Sequence, residues 1–236
     1  VTLLLAVLLA AAAGALAPLA VRRLPEPDPT ADRPADEPAP PSYAAVAARP
    51  GLGVALAVVS AAVVAASGVL LGTGWVLAYV VVATPVCACL AYVDARTRLL
   101  PKRLVLPATG LLLALALGEW VVTGDHTDVL RAGLGLLILR SVYWGLWFVH
   151  SAGMGFGDVR LAALLGLVLG RAGASELLVG AYTAFLVFVL PALVVALVRW
   201  DRSRLRTAHP FGPAMIVGAL IGLLAGPEIL GGLAGG

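Results

Sequence analysis

Charge is what this sequence holds least of. Only 12% of its 236 residues are Asp, Glu, Lys or Arg, about half the share that an ordinary soluble domain uses to cover its surface. Composition therefore excludes a water-soluble globular protein. Histidine and cysteine are scarce as well. His126, His150 and His209 fall in three separate polar segments, and Cys87 and Cys89 lie inside an apolar run. Two residues apart on a helix, the cysteines point in nearly opposite directions, which argues against a disulfide and against a Cys/His metal site. The net charge of +3 is spread over short segments with no basic domain, so it does not point to nucleic acid.

What the chain has instead is hydrophobicity: 61% of its residues are apolar and its mean hydropathy is +1.01. The apolar residues form runs of about 20, the length a helix needs to cross a hydrocarbon core while satisfying its own backbone hydrogen bonds. The expected fold is all-α, a polytopic transmembrane helix bundle of about eight spans: 2–21, 51–71, 75–93, 104–123, 129–149, 158–170, 176–198 and 213–232. The sixth is short. Residues 1–23 read as a retained first span, because they lack a basic leading segment, run long for a signal peptide and end on Arg22 and Arg23. Residues 24–50, rich in proline and acid, read as a flexible cytoplasmic connector without a core. Residues 51–236 form the remaining transmembrane unit.

Orientation follows from where arginine and lysine gather, since positive loops stay on the cytoplasmic side. With the N-terminus outside, four polar segments face the cytoplasm: 22–50, 94–103, 150–157 and 199–212. Together with Arg160 they hold all of the 16 basic residues except Arg131, Arg140 and Arg171. The two spans between Asp94 and Asp158 then return the chain to the same face. Arg140, in mid-span, is costly in lipid and is expected to face the bundle interior or to snorkel. Tyr143, Trp144, Trp147 and Phe148 read as an aromatic interface belt.

Most of the 13 acids lie in the connector or near the outer ends of spans, as do Glu119, Asp125, Asp128, Glu176 and Glu228. Asp94, ending the third span, and Asp158, opening the sixth, are the acids at cytoplasmic helix ends. A carboxyl group so near hydrocarbon is costly unless it is solvated, paired or used. Gly153, Gly155 and Gly157 precede Asp158 at alternate positions, leaving room for another chain to approach the backbone. Two such acids sharing a proton can divide the work of peptide hydrolysis, one activating water and the other donating to the carbonyl oxygen. A cation or proton transporter is the rival reading for paired acids in a helix bundle, but it predicts mid-membrane acids and internal repeats, and neither is evident. His150 and Ser151 are sequence neighbours, which does not make them a nucleophile and base.

Three segments carry a resemblance: DARTRLLP from Asp94 to Pro101, GMGFGDVRLAALLG at 153–166, and HPFGPAMIVGAL at 209–220. In this order they resemble the type IV prepilin peptidases, membrane aspartic proteases with a Gly-x-Gly-Asp motif. GALAPLAVRRLP at 14–25 is a weaker match. The resemblance implies that Asp94 and Asp158 are catalytic and that Gly153, Gly155, Phe156, Gly157, Arg160, Pro101, Pro210, Phe211, Gly212 and Pro213 bind substrate or shape the site. It implies cleavage of prepilin or pseudopilin leaders at the cytoplasmic face of the plasma membrane. Many relatives carry zinc-binding cysteine pairs in the first cytoplasmic loop and methylate the product with S-adenosylmethionine. Here that loop has no cysteine, which argues against zinc, and it is short and proline-rich, which argues against methylation. Lys102 stands where relatives often have asparagine, and Arg160 where lysine is usual.

Overall fold

The computed structural model describes residues 1–26, 40–149, 154–199 and 210–234. The regular structure of these residues is entirely α-helical, in nine helices: α1 (Thr2–Arg22), α2 (Tyr43–Ala47), α3 (Leu52–Leu71), α4 (Trp75–Thr97), α5 (Lys102–Thr123), α6 (His126–Val149), α7 (Phe156–Ala172), α8 (Ala174–Arg199) and α9 (Gly212–Ala234). All but α2 coincide with the apolar runs. Among the described residues, α1, α3, α4, α5, α6 and α9 are long and apolar enough to cross a membrane, and α8 adds a shorter apolar stretch. The protein is a polytopic membrane protein.

The short helix α7 owes its length to its place. Its 17 residues span about 25 Å, less than a hydrocarbon core. Yet an unbroken stretch from Leu161 to Gly170 is buried, so α7 is surrounded by protein and need not meet lipid along its length. Small residues let its neighbours approach. A Cβ at Gly135 of α6 would strike the backbone of Gly166 and Gly170 in α7, and one at Gly170 would strike the Arg131 carbonyl. Without a hydrophobic driving force between helices in lipid, such close contact is what holds spans together. The same device joins α8 to α9 through Gly180, Gly218 and Gly222, where the Thr183 hydroxyl also donates to the Gly218 carbonyl at 3.0 Å.

The connector holds more structure than its composition predicts. Residues 27–39 lie outside the described residues, but α2 is seated on the bundle through Tyr43, Val46 and Ala47, which pack with Val21, Leu56 and Val93. Its exposed first-turn donors are met from both sides: Glu26 accepts from the N–H groups of Tyr43 and Ala44 at 2.7 and 3.0 Å, and the Ser42 hydroxyl accepts from Ala45 N–H at 3.1 Å. Such a helix is too short to show a periodicity, and its stability comes from these caps and from packing.

Candidate active site

Asp94 and Asp158 sit at one end of the bundle, on neighbouring helices, and both are almost fully buried, at 4% and 7% exposure. Asp94 occupies the last turn of α4, where the helix dipole disfavours a negative charge. The compensation comes from another helix: Gly212 N–H, at the start of α9, donates to Asp94 Oδ2 at 2.9 Å. Glycine is what permits this contact, because a Cβ at Gly212 would stand 2.8 Å from the same oxygen. Just beyond Asp94 the chain leaves α4 through Arg98, a left-handed residue with φ 55° whose N–H closes on the Asp94 carbonyl at 2.8 Å.

Asp158 lies in the first turn of α7, where the dipole favours it. Its Oδ2 accepts from Gly155 N–H at 3.1 Å, and the Asp158 N–H returns to the Gly155 carbonyl at 3.0 Å. The two carboxyl groups are close enough for the charge of one to act on the other. Among the described residues neither takes part in an identified salt bridge. Each is buried and accepts from one identified backbone donor.

The remaining predicted residues gather around this pair to different degrees. Gly153 lies outside the described residues. Gly157 packs against Leu100, where a Cβ would come within 2.8 Å of the leucine Cβ; this closes the segment ending at buried Pro101, the N-cap of α5, onto the first turn of α7. Phe156 is held between the Trp147 ring at 5.1 Å and the Arg160 guanidinium at 4.7 Å. Arg160 is thus occupied by an aromatic face. Phe211 is buried among Tyr143, Phe185 and Phe188, with centroids at 5.9, 5.6 and 4.8 Å, and so fixes the start of α9 at Asp94. Pro210 and Pro213 flank that start, half-buried.

The aromatic residues of α6 divide in a way the belt reading misses. Trp144 and Phe148, four apart, stack on each other and are exposed, whereas Tyr143 is buried and Trp147 packs on Phe156. The helical repeat puts 143 and 147 on the inner face and 144 and 148 on the outer. Arg140 points outward. Sequence reasoning also missed a second acid site at the far end of the bundle. Glu119, 1% exposed, accepts three hydrogen bonds from Arg171, two from Nε at 3.0 Å and the shortest from Nη2 at 2.6 Å, and one from Tyr79 O–H at 3.0 Å. Arg171 also reaches Asp128 at 3.0 Å. The available signal was an acid one turn inside a span end and an arginine at the corresponding end of another.

Two buried acids on contacting helices, at one end of a bundle of membrane-length helices, mark a candidate dicarboxylate site in a membrane protein. The type IV leader peptidase family matches residues 81–200, the stretch carrying both acids, and the chain belongs to that family. Over 166 residues it is 34% identical to a prepilin leader peptidase/N-methyltransferase of Aeromonas hydrophila, covering 67% of this chain and 53% of that protein. Proteins of the same description from Pseudomonas putida and Escherichia coli (strain K12) are 39% and 33% identical, over 59% and 57% of this chain and 47% and 57% of their own lengths. The chain thus spans about half the length of the curated relatives it matches. No solved structure gives a significant match.

Proposed function

We propose that this protein is a membrane aspartic endopeptidase that removes the leader from prepilin-like or pseudopilin precursors, with Asp94 and Asp158 as its catalytic pair. The observation that carries the reading is the pairing itself: two buried carboxyl groups on separate helices, each held by one backbone N–H and within electrostatic reach of each other. A buried pair of this kind shares one proton. The ionised member takes a proton from water as the water oxygen attacks the scissile carbonyl carbon, while the protonated member gives its proton to the carbonyl oxygen. Collapse of the resulting diol breaks the C–N bond and returns a proton to the leaving amine. Which acid starts ionised belongs to the pair as a whole.

This chemistry asks for no metal, and zinc is not part of the reading. Neither is methylation by S-adenosylmethionine, although the relatives' names include it, because the segment expected to carry it is here a short connector. The positive residues that flank the acid-bearing end support a cytoplasmic location for it at the plasma membrane, with the N-terminus outside. In the deciding experiment, Asp94→Asn and Asp158→Asn variants are co-expressed with a prepilin-type precursor, and leader removal is followed by gel shift. Each should insert in the membrane and leave the precursor uncut; normal processing by either variant would refute the assignment.

A further inference from the structure

A cleft of about 610 Å³ runs along the bundle between α3 and α9, with α4 and α7 as its floor. Its lining is apolar from Val80 and Leu223 at the deep end up to Arg49 and Arg96 at the mouth. Helix periodicity links it to the acids. Cys87 lies seven residues before Asp94 on α4, Leu165 seven after Asp158 on α7, and Ala219 seven after Gly212 on α9; all three line the cleft. Seven residues are two turns, which return to the same helix face about 10 Å further along. The deeper part of the cleft therefore lies two turns further along the faces that hold Asp94, Asp158 and the Gly212 N–H, although none of those three residues lines it.

Two features give it an entrance and a direction. α3 and α9 scarcely touch, and Val59 and Val217, which line the cleft from either side, are 48% and 44% exposed. A different flank of the pair is filled by the packed rings of Tyr143, Phe185, Phe188 and Phe211. From the level of Asp94 to that of Val80 the floor extends about 21 Å, the rise of fourteen helical residues.

We propose that this cleft receives the apolar helix of the precursor, which enters sideways from the bilayer between α3 and α9 and lies along α4 and α7 with its cut end at the acids. The proposal rests on the leader-peptidase reading and adds where the substrate's membrane segment docks. A polypeptide is the occupant that uses the continuity of the faces: its bond to be cut must reach both carboxyl groups while the residues that follow stay in an apolar environment. A lipid chain would fill the volume and have no use for the acids.

The test uses the full chain in lipid nanodiscs and two synthetic peptides, one with a basic leader, a glycine and a 20-residue apolar helix, the other ending four residues past the cut. Val59→Trp and Val217→Trp narrow the entrance. They should lower the ratio of kcat/KM for the long peptide over the short one at least tenfold, through KM, while Leu137→Trp on the exposed face of α6 leaves the ratio unchanged. A benzophenone placed seven residues beyond the cut in the long peptide should label α3, α4 or α9. An unchanged ratio in both tryptophan variants, or labelling confined to α5 and α6, overturns the proposal and leaves the cleft to lipid. Failure of the unsubstituted protein to cut either peptide strikes the leader-peptidase reading instead.

Discussion

The helix α7 carries a charged residue at each end, and the two ends have been solved differently. At its start Asp158 is buried beside a second acid. At its finish Arg171 meets Glu119 and Asp128, and Tyr79 adds a hydroxyl, so the charges are matched on the spot. Both residues agree with the helix dipole, which favours an acid at the N-terminus and a base in the last turn, so the dipole does not separate them. Their partners do. A buried acid with its own cation is matched where it stands, whereas a buried acid whose companion is another acid costs stability and marks a candidate for chemistry. The same contrast runs along α4, which begins near Tyr79 in the matched network and ends on Asp94 in the unmatched pair.

The widest separation between the two ends should come from neutralising one acid at each. Asp94→Asn or Asp158→Asn should reduce cleavage of a prepilin-type precursor by at least about a thousandfold, with folding preserved or improved, because the substitution relieves the cost of keeping an ionised carboxyl group in a buried site. Cleavage rate and thermal melting in detergent, read on the same samples, check both halves. A loss of folding in these variants would show that the pair is structural after all.

A smaller effect at the same end probes how Asp94 is held. Gly212→Ala puts a methyl group into the space of Asp94 Oδ2, so the carboxyl group must shift from the Gly212 N–H. Activity should fall about tenfold or more, the scale expected when a reacting group is displaced by part of an ångström, with melting little changed. Circular dichroism and the precursor assay separate the two readouts.

How far the sequence shows this arrangement depends on whether one segment or several define the feature. Hydropathy locates every long helix, because an apolar run states its own length. The motif around Asp158 is equally local, since Gly155, Phe156 and Gly157 stand beside the acid they shape. What hydropathy does not reveal is pairing across the bundle. Glu119 and Arg171 look like boundary residues when each is read against its own span, and only the packing of α5 on α7 makes them a buried pair. Tyr143 likewise reads as an interfacial aromatic until its ring contacts with Phe185 of α8 and with Phe211, just before α9, put it inside. The helix α2 is missed for a different reason: five residues are too few for a period, and its cap Glu26 comes from the far side of the connector.

At the matched end the two partners of the ion pair should not be equivalent. Arg171→Met leaves Glu119 buried, with Tyr79 O–H as its remaining side-chain donor, and should cost about 3–5 kcal/mol, as breaking a buried pair does. Glu119→Gln should cost clearly less, because Arg171 keeps Asp128 at 3.0 Å and the amide oxygen can still accept from Tyr79. Combining the two substitutions should recover part of the Arg171→Met loss. Melting of the three variants in one detergent tests this order, and an Arg171→Met variant as stable as the parent would remove the structural half of the contrast.

The smallest expected change is at Tyr79→Phe. The ring stays and only the hydroxyl goes, so the packing of a fully buried side chain is retained. Glu119 loses one of its donors and keeps Arg171, whose Nε and Nη2 both reach it; a hydrogen bond to a charged group that is otherwise satisfied contributes about 1–2 kcal/mol. Melting should drop by that modest amount. Cleavage should remain near the parent's, because Tyr79 lies at the other end of α4 from Asp94. An activity loss larger than the loss of stability would mean that α4 transmits a displacement from the matched end to the acid pair, and that the two ends work as a unit.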